Sequence, residues 1–181
     1  YSRIGGLRED LPRGFHEAVN EFLERFPTKM DEFERLLTKN DIYMRRTQGV
    51  GVITLDDAMQ WGLVGPIARA AGTDYDVRKY FPYTGYETYD FRVPTATEGD
   101  VFARYQVRVA EMRESVKIVR QVIAQIPDGP VMAKVPRVFK PPVGECYFRA
   151  ENPRGETGFY LISDGGTNPY RCKIRTGSYM S

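Results

Sequence analysis

The sequence predicts an α+β fold, in which a helical bundle segment with one long helix is followed by a small three-stranded antiparallel sheet. Apolar residues recur at a spacing of three and four between residues 98 and 126, as on one face of a helix. Residues 130–143 hold four prolines, which is typical of an extended linker. From residue 144 the apolar period becomes two, as in strands. We therefore divide the chain into a helical bundle portion (1–129), a proline-rich linker (130–143) and an antiparallel β meander (144–181).

Composition and charge exclude several classes of protein. The 181 residues are 41% hydrophobic and 28% charged, with a mean hydropathy of −0.46, which is near the average of globular proteins. The longest apolar runs are a few residues long, whereas a transmembrane helix needs about 20. A net charge of +2 gives no general attraction to nucleic acid, so we expect no nucleic-acid partner.

The first long helix is predicted after Gly5-Gly6 and Pro12. Its apolar face consists of Phe15, Val19, Phe22, Phe26, Met30, Phe33 and Leu37. Pro27 lies within this pattern. Because proline cannot donate a backbone hydrogen bond, we expect a kink or a break there, with a fresh start near Thr28.

Residues 47–72 are predicted to form a loop with short helices. Thr54 is placed to cap one short helix, Gly62 to end it, and Gly65-Pro66 to begin another. Five tyrosines follow within residues 75–89, without the period of a helix or a strand. We interpret this stretch as an ordered loop whose rings pack against a neighbouring element or subunit; a surface for an aromatic ligand is the alternative.

The long helix is predicted over residues 98–126, with Thr97 and Asp100 as a capping box and Pro127 at its end. Its length would be roughly 40 Å at 1.5 Å per residue. A second apolar stripe includes Ile118 and Val122. We expect both side chains to be exposed in this chain, where further bundle helices would pack.

Three strands are predicted after the linker. Cys146, Phe148 and Ala150 alternate with polar residues, residues 159–162 are apolar on both faces like a central strand, and Tyr170, Cys172 and Ile174 alternate with basic residues. The turns are predicted at Asn152-Pro153-Arg154-Gly155 and Asp164-Gly165-Gly166. The basic face, formed by Arg171, Lys173 and Arg175, is interpreted as solvated.

No catalytic set assembles from these residues. Cys146, Cys172 and the single His16 are too few for a metal site, so we expect reduced thiols, a surface histidine, and no metal or cofactor bound by this chain. Gly49-Val50-Gly51 is too short for a nucleotide loop and is interpreted as a turn. Arg154 is different, because a rigid Pro-Arg-Gly turn can aim a guanidinium into a pocket, although an exposed hairpin would have the same sequence.

Six stretches resemble one family. They are YSRIGG (1–6), GVGVIT (49–54), YDVRKYFPYTGYE (75–87), EGDVFARY (98–105), EMRES (111–115) and NPRGETGFYLISDG (152–165). In this order and spacing they resemble the D-type subunit of bacterial NADH:quinone oxidoreductase, respiratory complex I, a family related to the large subunit of nickel–iron hydrogenases.

The resemblance implies a peripheral-arm subunit on the cytoplasmic side of the bacterial inner membrane, within a proton-pumping complex. Such a subunit helps form the quinone-reduction cavity next to the terminal iron–sulfur cluster, which a neighbouring subunit carries. Quinone and the other subunits, above all the one with that cluster, are therefore the implied partners, while FMN and the iron–sulfur clusters belong to other subunits. The chain covers somewhat under half of such a subunit, and the residues of the quinone head site fall outside it. We expect the isolated chain to be inactive, and its linker to be shorter than in many relatives.

Arg154 is the residue to which the resemblance gives a role. A Pro-Arg-Gly turn in the related hydrogenases holds its arginine over the metal pocket, so Arg154 becomes the quinone-cavity candidate; no catalytic residue is implied in this chain. Two alternatives stay open. A fragment of a membrane-bound nickel–iron hydrogenase would need Cys-x-x-Cys pairs outside residues 1–181, and a non-redox interaction module would have a closed surface.

Overall fold

The computed structural model describes residues 2–178 and has the predicted α+β architecture. The helices are α1 (Phe15–Leu37), α2 (Asp41–Thr47), α3 (Leu55–Gln60), α4 (Pro66–Ala70), α5 (Val77–Tyr80) and α6 (Val101–Gln125), with a 3₁₀ turn at Tyr86–Thr88. The strands are β1 (Ser2–Arg3), β2 (Gly6–Leu7), β3 (Gly144–Asn152), β4 (Gly155–Ser163) and β5 (Arg171–Arg175). Tyr1 and residues 179–181, the last three of the predicted meander, lie outside the described residues.

Helix α1 runs without interruption through Pro27, so the predicted break with a fresh start near Thr28 is wrong, while the alternative of a kink stays a prediction. Proline leaves one carbonyl of the preceding turn without its intrahelical donor, here that of Leu23. Arg120 of α6 supplies the missing donor, since its Nη2 lies 3.2 Å from the Leu23 carbonyl oxygen. The neighbouring helix therefore compensates for the proline.

Helix α6 begins three residues later than predicted, and its cap is Asp100 rather than Thr97. The Asp100 carboxylate accepts hydrogen bonds from the backbone N–H of Ala103 at 2.7 Å and of Gly49 at 2.8 Å. Gly99 has a φ of +63°, a left-handed conformation that cannot belong to the helix. The predicted capping box is therefore wrong, although an acidic cap is present.

The expected exposure of the second α6 stripe is also wrong for Ile118, which is only 7% exposed, while Val122 is half-buried. The extended segment after the tyrosine loop covers this side of the helix. Its backbone at Arg92 donates to Glu114, and its backbone at Asp90 exchanges hydrogen bonds with Gln121. One face of α6 carries Glu114, Ile118 and Gln121. The segment near Asp90 and Arg92 therefore covers that face.

The short helices match their predicted boundaries. Thr54 caps α3 in a reciprocal capping box with Asp57, and Gly62 follows the end of that helix with a φ of +61°. Gly65-Pro66 begins α4, which packs on α6. Ala70 of α4 and Ala103 and Val107 of α6 form the most deeply buried apolar cluster.

The three-stranded sheet has the order β3-β4-β5 and is antiparallel throughout, with β4 in the centre as predicted. Before it, the linker packs against the N-terminal hairpin β1–β2, a feature that the sequence did not predict. Leu7 N–H donates to the Val131 carbonyl and Ala133 N–H to the Gly5 carbonyl, at 2.9 and 2.8 Å. None of the helices within residues 2–178 is both long and apolar enough to cross a membrane.

Candidate functional site

A buried arginine lies at the junction of the helical portion and the sheet. Arg69 of α4 is 2% exposed. Its Nε lies 2.7 Å from Glu111 of α6, its Nη2 lies 3.0 Å from Glu151 of β3, and its Nη1 lies 3.6 Å from Asp76. Nη1 also donates to the Tyr75 carbonyl at 3.0 Å. Every nitrogen of this guanidinium therefore has a partner, as a buried charge requires.

Local structure fixes each carboxylate. Asp76 is the N-cap of α5, where it accepts from the Arg78 backbone at 2.9 Å and binds the Arg78 guanidinium at 2.6 Å. Glu111 projects from the middle of α6, and Glu151 lies on β3 one pair from the turn that leads to β4. The network therefore connects α4, α5, α6 and the sheet.

The network consists of three carboxylates and two guanidiniums, so one negative charge is in excess when all are ionised. The carboxylates are those of Asp76, Glu111 and Glu151, and the guanidiniums are those of Arg69 and Arg78. Burial raises the pKa of Glu111 above 4.5, and Arg69 offsets this only in part. Burial likewise raises the pKa of Glu151. Burial also acts against the charged form of Asp76, but the hydrogen bonds and charge of Arg78 outweigh it and hold that pKa below 3.8.

A half-open cavity of about 440 Å³ adjoins this network. Its charged wall is formed by Arg69, Arg78, Arg108, Glu111 and Glu151, and Tyr86, Met112 and Pro153 also line it. Such a wall combines hydrogen-bond donors with carboxylates that can take up a proton. Guanidinium groups and carboxylates whose pKa is raised by burial therefore meet at one cavity.

Arg154, the quinone-cavity candidate, lies beside this cavity but does not line it. Its side chain is exposed, while its backbone N–H donates to the Asn152 Oδ1 atom at 2.9 Å within the predicted turn. The turn is packed against α4: a Cβ atom built at Gly65 would lie 2.5 Å from both the Arg154 carbonyl oxygen and the Gly155 Cα atom. The backbone of Arg154 is thus anchored, and only its guanidinium is free to reach outward.

The tyrosine stretch packs between the helices and the sheet, as we interpreted it. Tyr75 donates to Glu156 of β4 at 2.6 Å, and the Tyr83 hydroxyl accepts from the Glu151 backbone N–H at 2.9 Å. Burial, followed by the hydrogen bond to Glu156, raises the pKa of Tyr75. The rings therefore hold the sheet on the helical portion.

The basic face of the sheet is solvated only in part. Arg171 and Lys173 are exposed, but Arg175 donates to the Gly62 carbonyl at 2.7 Å and lies 3.9 Å from Glu156. The prediction of a solvated face is therefore wrong for Arg175, because this end of the face turns toward the helices.

The remaining candidates from the sequence do not join the site. His16 lies exposed on α1, Gly49 belongs to a turn, and Cys146 and Cys172 are exposed and unpaired. Among residues 2–178, no three His, Cys, Asp or Glu side chains come together as they would around a metal ion.

Sequence reasoning missed Arg69 and its carboxylates. One signal was present: Arg69 is the single charge within residues 64–71, an otherwise uncharged run in which every residue is buried. A lone charge in such a run needs buried counter-charges. The sequence alone could not say which three of the 24 acidic residues supply them.

Comparison with known proteins identifies the family. The sequence-family model that describes the 49 kDa subunit of respiratory-chain NADH dehydrogenase matches residues 1–143 and 134–181. The two matches overlap inside the linker, the segment expected to differ in length from relatives.

Three relatives are similar along nearly the whole chain, and each is named as a D-type subunit of NADH-quinone oxidoreductase. The protein of Solibacter usitatus is 47% identical over 99% of the chain. Those of Methylacidiphilum infernorum and Carboxydothermus hydrogenoformans are 46% and 45% identical over all of it. The chain covers 48%, 49% and 50% of these three proteins, so it spans about half the length of the curated relatives it matches. With this identity and a family match that includes every residue, the chain belongs to the family of the 49 kDa, or D-type, subunit of NADH-quinone oxidoreductase.

Proposed function

We propose that this chain is part of a peripheral-arm subunit of a proton-pumping NADH:quinone oxidoreductase and helps form its quinone-reduction cavity. The observation that carries the proposal is the identity of 45–47% to proteins named as the D-type subunit of this enzyme. Its partners are quinone and the other subunits, especially the one that carries the terminal iron–sulfur cluster. Its place is the cytoplasmic side of the bacterial inner membrane.

In this proposal the chain supplies a rigid wall rather than redox chemistry. NADH oxidation, FMN and the iron–sulfur clusters belong to other subunits, and the isolated chain is inactive. The junction of α4, α6 and the sheet supports this role, because its buried ion pairs fix the position of the Asn152-Pro153-Arg154-Gly155 turn. Arg154 then offers quinone a planar, permanently charged donor on an anchored backbone.

The test uses the assembled complex with Arg154→Met. NADH:quinone reductase activity should fall several-fold, while NADH oxidation by an artificial acceptor should persist because that acceptor takes electrons upstream of quinone. Arg45→Met, which removes an exposed arginine of α2, is the matched control and should leave both activities unchanged.

An unchanged quinone reductase rate in a fully assembled Arg154→Met complex would overturn the role of Arg154. Loss of both activities together would show that Arg154 acts in assembly. A hydrogenase or a non-redox module would give no inhibitor-sensitive NADH:quinone reductase activity with the unmodified subunit, and that result would overturn the proposed function itself.

A further inference from the structure

The sheet is oriented with its polar face toward the helices and its apolar face toward solvent. Residues directly opposite each other in the register share a face. One face carries Glu151, Glu156, Arg149 and Arg175. On this face Glu151 contacts Arg69, and Glu156 contacts Tyr75. Arg149 contacts Phe81, and Arg175 contacts Gly62.

The opposite face is apolar across all three strands. Its central rows are Cys146, Leu161 and Cys172, and Phe148, Phe159 and Ile174. Phe148 is 57% exposed, Phe159 41% and Ile174 58%, and both cysteines are exposed. We refer to these six residues as the outer face.

The outer face continues into an apolar groove of about 540 Å³ beside the linker. The groove is lined by Ile4, Pro141, Val143, Cys146, Leu161 and Pro169. Val143 is exposed in it, as is Ile4. Three structural segments thus contribute to one continuous apolar surface, whereas scattered single residues would need no explanation.

A sheet buries its apolar face against a second layer. Within residues 2–178 the helices supply a layer only to the polar face, and the contact that the tyrosine stretch makes with the outer face is that of the Tyr83 ring with Phe148 on the edge strand β3. The relatives are about twice as long as this chain, so about as many residues again belong to the subunit in those proteins. A layer supplied by the same polypeptide is covalently linked to the sheet, so its effective concentration does not depend on assembly, as that of a separate subunit does.

We propose that the outer face and its groove are a docking surface for the remaining part of the subunit polypeptide, the part that the relatives have beyond the region matched here. The occupant presents apolar side chains that cover both cysteines. This inference rests on the length of the relatives and the orientation of the sheet, so it does not depend on the quinone role of Arg154.

The two cysteines serve as native reporters in the full-length subunit and in the complex. Maleimide labelling is followed residue by residue with peptide mass spectrometry. Lys173→Cys provides the matched control, because residue 173 lies between the outer-face positions 172 and 174 on the same strand but is exposed on the opposite face.

In the purified full-length subunit, Cys146 and Cys172 should label at least about tenfold more slowly than Lys173→Cys, since a covered thiol reacts only after local opening. All three should label alike in urea.

Equal labelling of the three in the native full-length subunit would overturn the proposal. Protection that arises only in the assembled complex would assign the surface to another subunit, and protection that disappears on dilution would assign it to a second copy; either result also overturns it.

Discussion

The guanidinium of Arg120 donates a hydrogen bond to the backbone carbonyl of Leu23, across the interface between α6 and α1. That carbonyl lies one turn before Pro27, which has no N–H to offer it. The two helices are thus connected by a hydrogen bond between a carbonyl of α1 that lacks an intrahelical donor and a side chain of α6. This contact explains how a proline is accommodated inside a helix of 23 residues.

Replacement of Arg120 by methionine should therefore lower the free energy of unfolding by about 1 kcal/mol, the usual value of one hydrogen bond. The loss should be smaller in a Pro27→Ala background, where the helix supplies its own donor to Leu23. Urea unfolding of the four proteins gives the coupling directly. Arg120 also pairs with exposed Glu24, so Glu24→Gln is the control and should change stability by less than about 0.5 kcal/mol. Additive effects of the two substitutions would contradict the compensation.

A second prediction concerns the contact between Gly65 and the β3–β4 turn. Gly65 and Gly49 both have a positive φ, +68° and +67°, but Gly65 also has a ψ of −147°, a backbone conformation that only glycine adopts readily, and of the two only Gly65 has another backbone within 4 Å of a built Cβ atom. Gly49→Ala should therefore cost only the conformational strain of about 1 to 2 kcal/mol. Gly65→Ala should cost several kcal/mol, because alanine does not readily adopt the backbone conformation of Gly65 and because the carbonyl of Arg154 must move as well. Thermal unfolding of both variants measures the difference, and equal losses would show that the turn is not packed on α4 as described.

The sequence predicted those features that depend on local pattern. The period of two placed β3, β4 and β5, and Thr54, Gly62 and Pro66 placed the short helices, because cap and turn chemistry act within a few residues. The turn that contains Arg154 was also predicted from local turn chemistry. Its identity as a turn is confirmed, while its role with quinone stays a prediction.

The failures depend on contacts distant in sequence. Pro27 is accommodated by Arg120, 93 positions away, and Ile118 is covered by the segment near Arg92. The partners of Arg69 come from three separate elements. Periodicity describes one element at a time, so it cannot identify a donor or a counter-charge that only the tertiary fold brings into place.

The last prediction is a pH dependence that follows from the network around Arg69. Because the pKa of Glu111 is raised in the fold, the folded protein binds this proton more tightly than the unfolded chain does. The resulting stability is fully present below the ordinary pKa of 4.5 and is lost as the pH rises through the raised pKa. Asp76 has the opposite sign: its lowered pKa gives stability above 3.8, which is lost as the pH falls through the lowered value.

Glu111→Gln should therefore remove part of the fall in stability that the unmodified protein shows as the pH is raised from 4.5. The amide oxygen of glutamine can still accept from the Arg69 Nε atom, and the network becomes neutral, with two carboxylates for two guanidiniums. Asp76→Asn is the control of opposite sign, because it should cost stability mainly above pH 3.8. Urea unfolding across this pH range tests both variants. If the curve of Glu111→Gln ran parallel to that of the unmodified protein, Glu111 would not take up a proton in the fold, and the excess negative charge beside the cavity would have to be compensated elsewhere.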